Sequence, residues 1–163
     1  MSGGRVLIAG VGNILLHDDG FGVEVVRRLA QEPMPEGVEI TDYGIRALHL
    51  AYDLLDGYEM LVIVDAMSRG AAPGTVFVFE PDLQAPPPAE GTVAMDPHGV
   101  YPGAVLRMAG DLGAHIGVVR VVGCEPADLE EGIGLSPSVE LAIGEAVRLV
   151  RELAIAATAA TTP

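Results

Sequence analysis

Val6-Leu7-Ile8-Ala9-Gly10-Val11-Gly12-Asn13-Ile14-Leu15-Leu16-His17-Asp18-Asp19-Gly20-Phe21-Gly22 runs from an uninterrupted apolar stretch through a glycine-rich turn into a helical pattern. Four branched or small apolar residues in a row suit a strand buried on both faces of a mostly parallel sheet. Such a strand delivers the following loop to the carboxyl edge of the sheet, where open α/β sheets place their ligands. Beyond the loop, Phe21, Val25, Val26 and Leu29 recur at helical spacing, with Asp18, Asp19 or Gly20 available as caps. Two carboxylates and an imidazole therefore stand where a buried strand turns into an amphipathic helix.

The turn invites comparison with the dinucleotide fingerprint G-x-G-x-x-G, and the match is poor. Gly10 and Gly12 fit, but the third glycine position holds Leu15 and the helix begins late. His17-Asp18-Asp19 would also set negative charge where a pyrophosphate should rest, which like-charge repulsion disfavours. Two carboxylates suit a cation better, although the same residues would serve as plain helix caps.

Outward from this stretch, the 163 residues, half of them hydrophobic, suit one domain spanning 1–163 with a sizeable core and a frayed tail at 156–163. The formal charge of −14 argues against nucleic acid or an anionic membrane as partner. A single cysteine, Cys124, excludes an internal disulfide and fits a reducing compartment. No signal-peptide pattern opens the chain and no apolar run reaches the roughly 18 residues of a membrane span, so the sequence predicts a soluble, cytoplasmic protein.

Val38-Glu39-Ile40-Thr41 alternates as a strand ending at Asp42-Tyr43-Gly44, and Ala47, Leu48, Ala51, Leu54 and Leu55 repeat as a helix closing at Gly57. Met60-Leu61-Val62-Ile63-Val64 reads as the central strand and stops at Asp65. Thr75-Val76-Phe77-Val78-Phe79 follows too soon for a parallel crossover with its helix, which predicts an antiparallel strand. The proline-rich stretch 80–97 reads as a long loop that delivers His98, Pro102 opens a further helix, and Val118 to Val122 is the last strand. A closing helix follows Ser136-Pro137-Ser138, marked by apolar residues as far as Leu153. The expected fold is a three-layer α/β/α sandwich around a twisted, mostly parallel sheet of about five strands with one antiparallel strand.

Asp19, Asp65 and His98 stand out because each lies where an apolar segment ends. The first and third strands of a doubly wound sheet lie side by side near the switch point, so Asp19 and Asp65 can face one another there. A loop histidine above them completes two oxygens and one nitrogen. That set suits a borderline divalent metal such as nickel or zinc, or acid/base work in hydrolysis. Cys124 reads as a small core residue, His17 as a solvent-exposed loop side chain beside the acidic pair and Glu130-Glu131 as a solvated acidic turn, while His49 and His115 belong to no recognisable cluster.

Over nearly the whole chain, from Val6 to about Leu153, the sequence resembles the hydrogenase maturation proteases. The resemblance is carried by Gly10-Val11-Gly12-Asn13-Ile14-Leu15-Leu16 with Asp18-Asp19-Gly20 and Gly22, by Val64-Asp65-Ala66, Pro73-Gly74-Thr75 and Pro97-His98, and by Val122-Gly123, Pro126 and Gly134-Leu135-Ser136-Pro137. It implies an endopeptidase that removes a C-terminal extension from the large-subunit precursor of a [NiFe]-hydrogenase. It further implies that Asp19, Asp65 and His98 contact nickel carried by that precursor, with no resident organic cofactor. The family's Asp-Gly-Gly segment falls on Asp42-Tyr43-Gly44, which makes Asp42 a candidate water activator, the alternative being a metal that polarises the scissile carbonyl. Tyr43 in place of a glycine, and Arg46, depart from the family pattern and bear on peptide specificity. A non-enzymatic nickel-dependent checkpoint or chaperone for the precursor, and a nucleotide-binding Rossmann-like enzyme, are the rival readings.

Overall fold

The computed structural model describes residues 4–81 and 102–160. Strand β1, Val6–Val11, is buried along nearly its whole length because its two faces meet two different helical layers. Val6 and Ile8 pack with helix α1, Phe21–Leu29, and helix α4, Pro137–Ala160. Leu7 and Ala9 pack with helix α2, Ala47–Asp53, and helix α3, Pro102–Asp111. The same division holds along β3, Tyr58–Ala66, where Met60, Val62 and Val64 face α1 and α4 while Leu61 and Ile63 face α2 and α3. A strand buried on both sides needs no polar alternation, which is why these two segments read as continuous apolar runs. Each large apolar side chain withdrawn from water in this way contributes roughly 1.5–3 kcal/mol.

The remaining strands are β2, Val38–Gly44, β4, Val76–Phe79, and β5, Ile116–Cys124, and the sheet order is β2-β1-β3-β5-β4. Pairs β1–β2, β1–β3 and β3–β5 are parallel, and β4 runs antiparallel to β5 at the edge. The fold is thus the α/β/α sandwich around a mostly parallel five-stranded sheet that the sequence predicts, antiparallel strand included. Successive strands leave β1 in opposite directions, to β2 on one side and β3 on the other, so the switch point lies between β1 and β3.

Several boundaries differ from the sequence reading. Asp65 lies within β3 rather than after it, and β5 extends from Ile116 to Cys124, two residues further at each end than its apolar run suggests. Helix α4 continues to Ala160, into a stretch whose alanines favour helix without giving it an amphipathic period. No helix among the described residues is long and apolar enough to cross a membrane. His98 and the proline-rich stretch lie outside the described residues.

Candidate active site

Every buried charged side chain among the described residues is acidic and stands at the carboxyl edge of the three middle strands: Asp18 and Asp19 after β1, Asp65 in the last turn of β3, and Glu125 just past β5. A buried carboxylate is costly unless donors or a cation compensate it. What each of the four meets therefore says what it is for.

Asp18 is fully buried and turned away from the sheet edge, toward the segment that leads into α4. Its Oδ2 accepts the backbone N–H groups of Ala127 at 2.8 Å and Asp128 at 2.9 Å and the Ser136 hydroxyl at 2.8 Å; its Oδ1 accepts the Ser136 N–H at 2.7 Å. Burial pushes this carboxyl up, but the Ser136 and 127–128 donors outweigh it and hold Asp18 below the usual carboxylate range. Backbone bonds run alongside, from His17 N–H to Gly132 O, Gly132 N–H to Leu15 O and Asp18 N–H to Asp128 O. The ring Nδ1 of His17 lies 2.9 Å from Gly134 O, so this histidine belongs to the same clasp. Of the three caps the sequence offers for α1, Gly20 occupies the N-cap, and no side chain caps it.

Asp19 faces the other way. Its Oδ2 accepts the N–H of Asn13 at 2.9 Å, and the Asn13 side chain accepts the N–H of Leu15, so the loop winds around this carboxylate. Gly12 stands between Asp19 and Asp65. Its φ of +139° is open only to glycine, and a β-carbon there would collide with the Asp19 carbonyl while lying 3.9 Å from Asp65 Oδ1. A β-carbon on Gly22 would likewise strike the carbonyls of Val64 and Val11, so that glycine lets α1 settle onto the strands. The motif glycines are filled by the protein's own backbone, which removes the pyrophosphate-cradle reading.

Gly10 pairs with Val64 across β1 and β3, which brings Asp65 level with the start of the glycine loop, as the topology argument predicts. Asp65 continues the Leu61, Ile63 alternation toward the α2–α3 face and is 6% exposed. Asp42 continues the Val38, Ile40 alternation toward α1, where its carboxylate lies 3.6 Å from Arg27 Nε. It is half-exposed and stands on the opposite face of the sheet from Asp65. Among the described residues no group of three metal-binding side chains is brought together, the third expected ligand, His98, lying outside them.

Glu125 was not among the sequence candidates. Its two carboxylate oxygens accept the N–H groups of Arg69 at 2.7 Å and Gly70 at 3.1 Å, pinning the loop that leaves Asp65. Arg69 in turn lies over the Phe77 and Phe79 rings. Burial, then the Asp18 and Glu125 charges, push the Cys124 thiol up to about 12, so it is a buried, protonated side chain and no nucleophile.

An α/β sandwich with buried acids at its switch point defines the class in structural terms, and comparison with known proteins gives it a family. The family model HycI, hydrogenase maturation protease, matches residues 23–153. The hydrogenase expression/formation protein HupD of Rhodobacter capsulatus is 35% identical over 97% of this chain and 77% of its own length. The hydrogenase 2 maturation protease of Escherichia coli is 36% identical over 90% of this chain and 88% of its own. Among solved structures, the hydrogenase maturating endopeptidase HybD of E. coli superposes with a TM-score of 0.73 at 34% identity, covering 90% of this chain and 89% of that one. The chain belongs to the hydrogenase maturation protease family, and it is a peptidase.

Proposed function

We propose that the protein recognises nickel in the immature large subunit of a [NiFe]-hydrogenase and removes the subunit's C-terminal extension. The observation that carries this reading is the pair of buried acids, Asp19 and Asp65, on either side of Gly12 at the switch point. A site of two buried acids discriminates by what cation arrives with the substrate. Asp19, Asp65 and His98 contact the substrate-borne nickel, and oxygen and nitrogen donors of this kind suit a borderline ion. The solved [NiFe] hydrogenase maturation protease HybD of Thermococcus kodakarensis, 29% identical with a TM-score of 0.67 over 92% of this chain and 99% of that one, supports the substrate class.

For hydrolysis, Asp42 is proposed to activate water, or the nickel to polarise the scissile carbonyl. Asp42 lies across β1 from Asp65 and lines the same cleft as Gly12. The test is the intact mass of nickel-loaded and metal-free large-subunit precursor after incubation with the wild type and with Asp19→Asn, Asp65→Asn, His98→Ala and Asp42→Asn. Loss of one C-terminal peptide from loaded precursor alone, abolished by the first three substitutions, is the expected result. Unchanged precursor mass with wild-type protein would overturn the protease reading and leave a binding checkpoint, while full cleavage by Asp42→Asn would assign activation of water to the metal.

A further inference from the structure

On the β2 side of the acid pair lies an open cleft of about 370 Å³, walled by the 12–15 loop on one side and by 42–46 on the other. Ile14, Leu15 and Ile45 line it and are 40%, 56% and 64% exposed, so its walls offer apolar contact to an extended chain. Gly12 belongs both to this cleft and to the acid pair, so the cleft adjoins the site.

Arg46 is the unusual wall residue. The chain has nine arginines, no lysine and a formal charge of −14, so carboxylates are plentiful around every cation. Arg5, Arg27, Arg28, Arg120, Arg148 and Arg151 each lie within 4.0 Å of one. Arg69 stacks on two phenylalanines, and Arg107 donates to a carbonyl of its own helix. Arg46 lines the cleft with no carboxylate within 4.0 Å among the described residues. Its Nε donates to Tyr43 O at 3.2 Å and its Nη2 to Asp42 O at 2.7 Å. Two carbonyls of the cleft wall thus hold the guanidinium in place while leaving its charge unmatched and three of its five N–H donors for another partner. A fixed arginine fork of this kind is suited to a carboxylate.

We infer that Arg46 is a specificity residue that binds an acidic side chain of the substrate polypeptide, with apolar neighbours of that side chain resting on Ile14, Leu15 and Ile45. This rests on the proposed protease reading and adds the chemistry of the stretch being cut. Strands β3 and β2 flank β1, so the span from Asp65 to the Arg46 wall is about 10 Å at ~4.8 Å per strand. An extended chain covers that in about three residues. The acid therefore sits roughly three residues from the nickel-bearing end of the bound segment.

The experiment uses the nickel-loaded large-subunit precursor encoded in the same genome, and a second form in which each Asp or Glu within five residues of the cut is replaced by Asn or Gln. Arg46→Gln, a surface change, should raise KM for the native precursor about tenfold with kcat within twofold. The amide precursor should raise the wild-type KM by the same factor and leave that of Arg46→Gln unmoved. Simply additive effects, wild-type kinetics for Arg46→Gln, or a precursor with no acid within five residues of the cut would overturn the inference while leaving the protease reading intact. Fluorescence anisotropy of a labelled nonapeptide spanning the cut, in acid and amide forms, gives the same comparison without turnover. Preference of wild type for the acid peptide, lost in Arg46→Gln, would uphold the recognition even if the precursor were never cleaved, and equal binding of both forms would overturn it.

Discussion

Replacing Asp18 tests whether the acid next to the proposed nickel contact is a structural clasp. Asp18→Ala leaves three part-buried N–H groups, those of Ala127, Asp128 and Ser136, and the Ser136 hydroxyl without their acceptor. Each such donor costs about 1–3 kcal/mol, but the costs do not add, because water entering the space of one lost carboxylate serves several at once. A loss of about 3 kcal/mol is expected, which for a chain of this length lowers Tm by roughly 6–12 °C. The pH dependence separates charge from shape. The folded-state pKa is lowered relative to an unfolded value of about 3.9. The contribution of the carboxylate is therefore complete above about pH 5 and disappears as pH falls through the folded value. Asp18→Asn cannot titrate, so the stability gap between it and the wild type should be constant above about pH 5 and narrow below about pH 4. Thermal and urea denaturation of the three proteins between pH 3 and pH 7 measure both effects. An Asp18→Ala Tm within about 2 °C of wild type, or a gap to Asp18→Asn that does not narrow in acid, would refute the clasp.

Gly12→Ala forces a β-carbon against the Asp19 carbonyl at a φ of +139°, and strain of about 1–3 kcal/mol together with a displaced Asp19 should show as a lower Tm and at least about tenfold slower precursor cleavage. Glu125→Gln turns an amide NH2 toward the Arg69 or Gly70 N–H, at a cost of about 1–3 kcal/mol; trypsin should then cut after Arg69 faster than in the wild type, read by mass spectrometry. Cys124, wholly buried with its pKa pushed up to about 12, should resist iodoacetamide at pH 8 in the native protein and react in urea. Cys124→Ala should cleave precursor at the wild-type rate.

The layers of the fold are legible because two strands, β1 and β3, are apolar on both faces and α1 has a clean 3.6-residue period. The antiparallel β4 is legible from connection length alone, since nine residues between Asp65 and Thr75 leave no room for a crossover helix. The end of α4 is not, because alanine favours helix without marking a face. At the site, the closeness of Asp19 and Asp65 follows from topology, whereas the role of Asp18 does not. Its partners lie up to 118 residues away and three of the four are backbone amides, which any residue supplies. Only the Ser136 hydroxyl is a sequence-specific trace of the bond, and on its own it reads as the start of a helix. Glu125 is hidden for the same reason, its donors being the N–H groups of Arg69 and Gly70.

Two of the four buried acids tie loops together, and that bears on how the proposed checkpoint works. Asp18 takes four donors and Glu125 two. They fix the two loops that carry the proposed nickel contacts: Asp18 ties the 15–18 turn to the start of α4, and Glu125 ties the 69–70 turn to the end of β5. The segments that carry Asp19 and Asp65 are thereby held in place on either side of Gly12. On the proposed reading, a divalent ion arriving with the precursor is attracted to both carboxylates, and a metal-free precursor lacks that attraction. On the proposed reading, discrimination between loaded and empty precursor thus depends on the clasp acids as well as on the contact acids. Asp18→Asn, assayed below its Tm, should accordingly narrow the ratio of loaded to metal-free precursor binding, and a ratio equal to that of the wild type would show that the contact acids discriminate without the clasp.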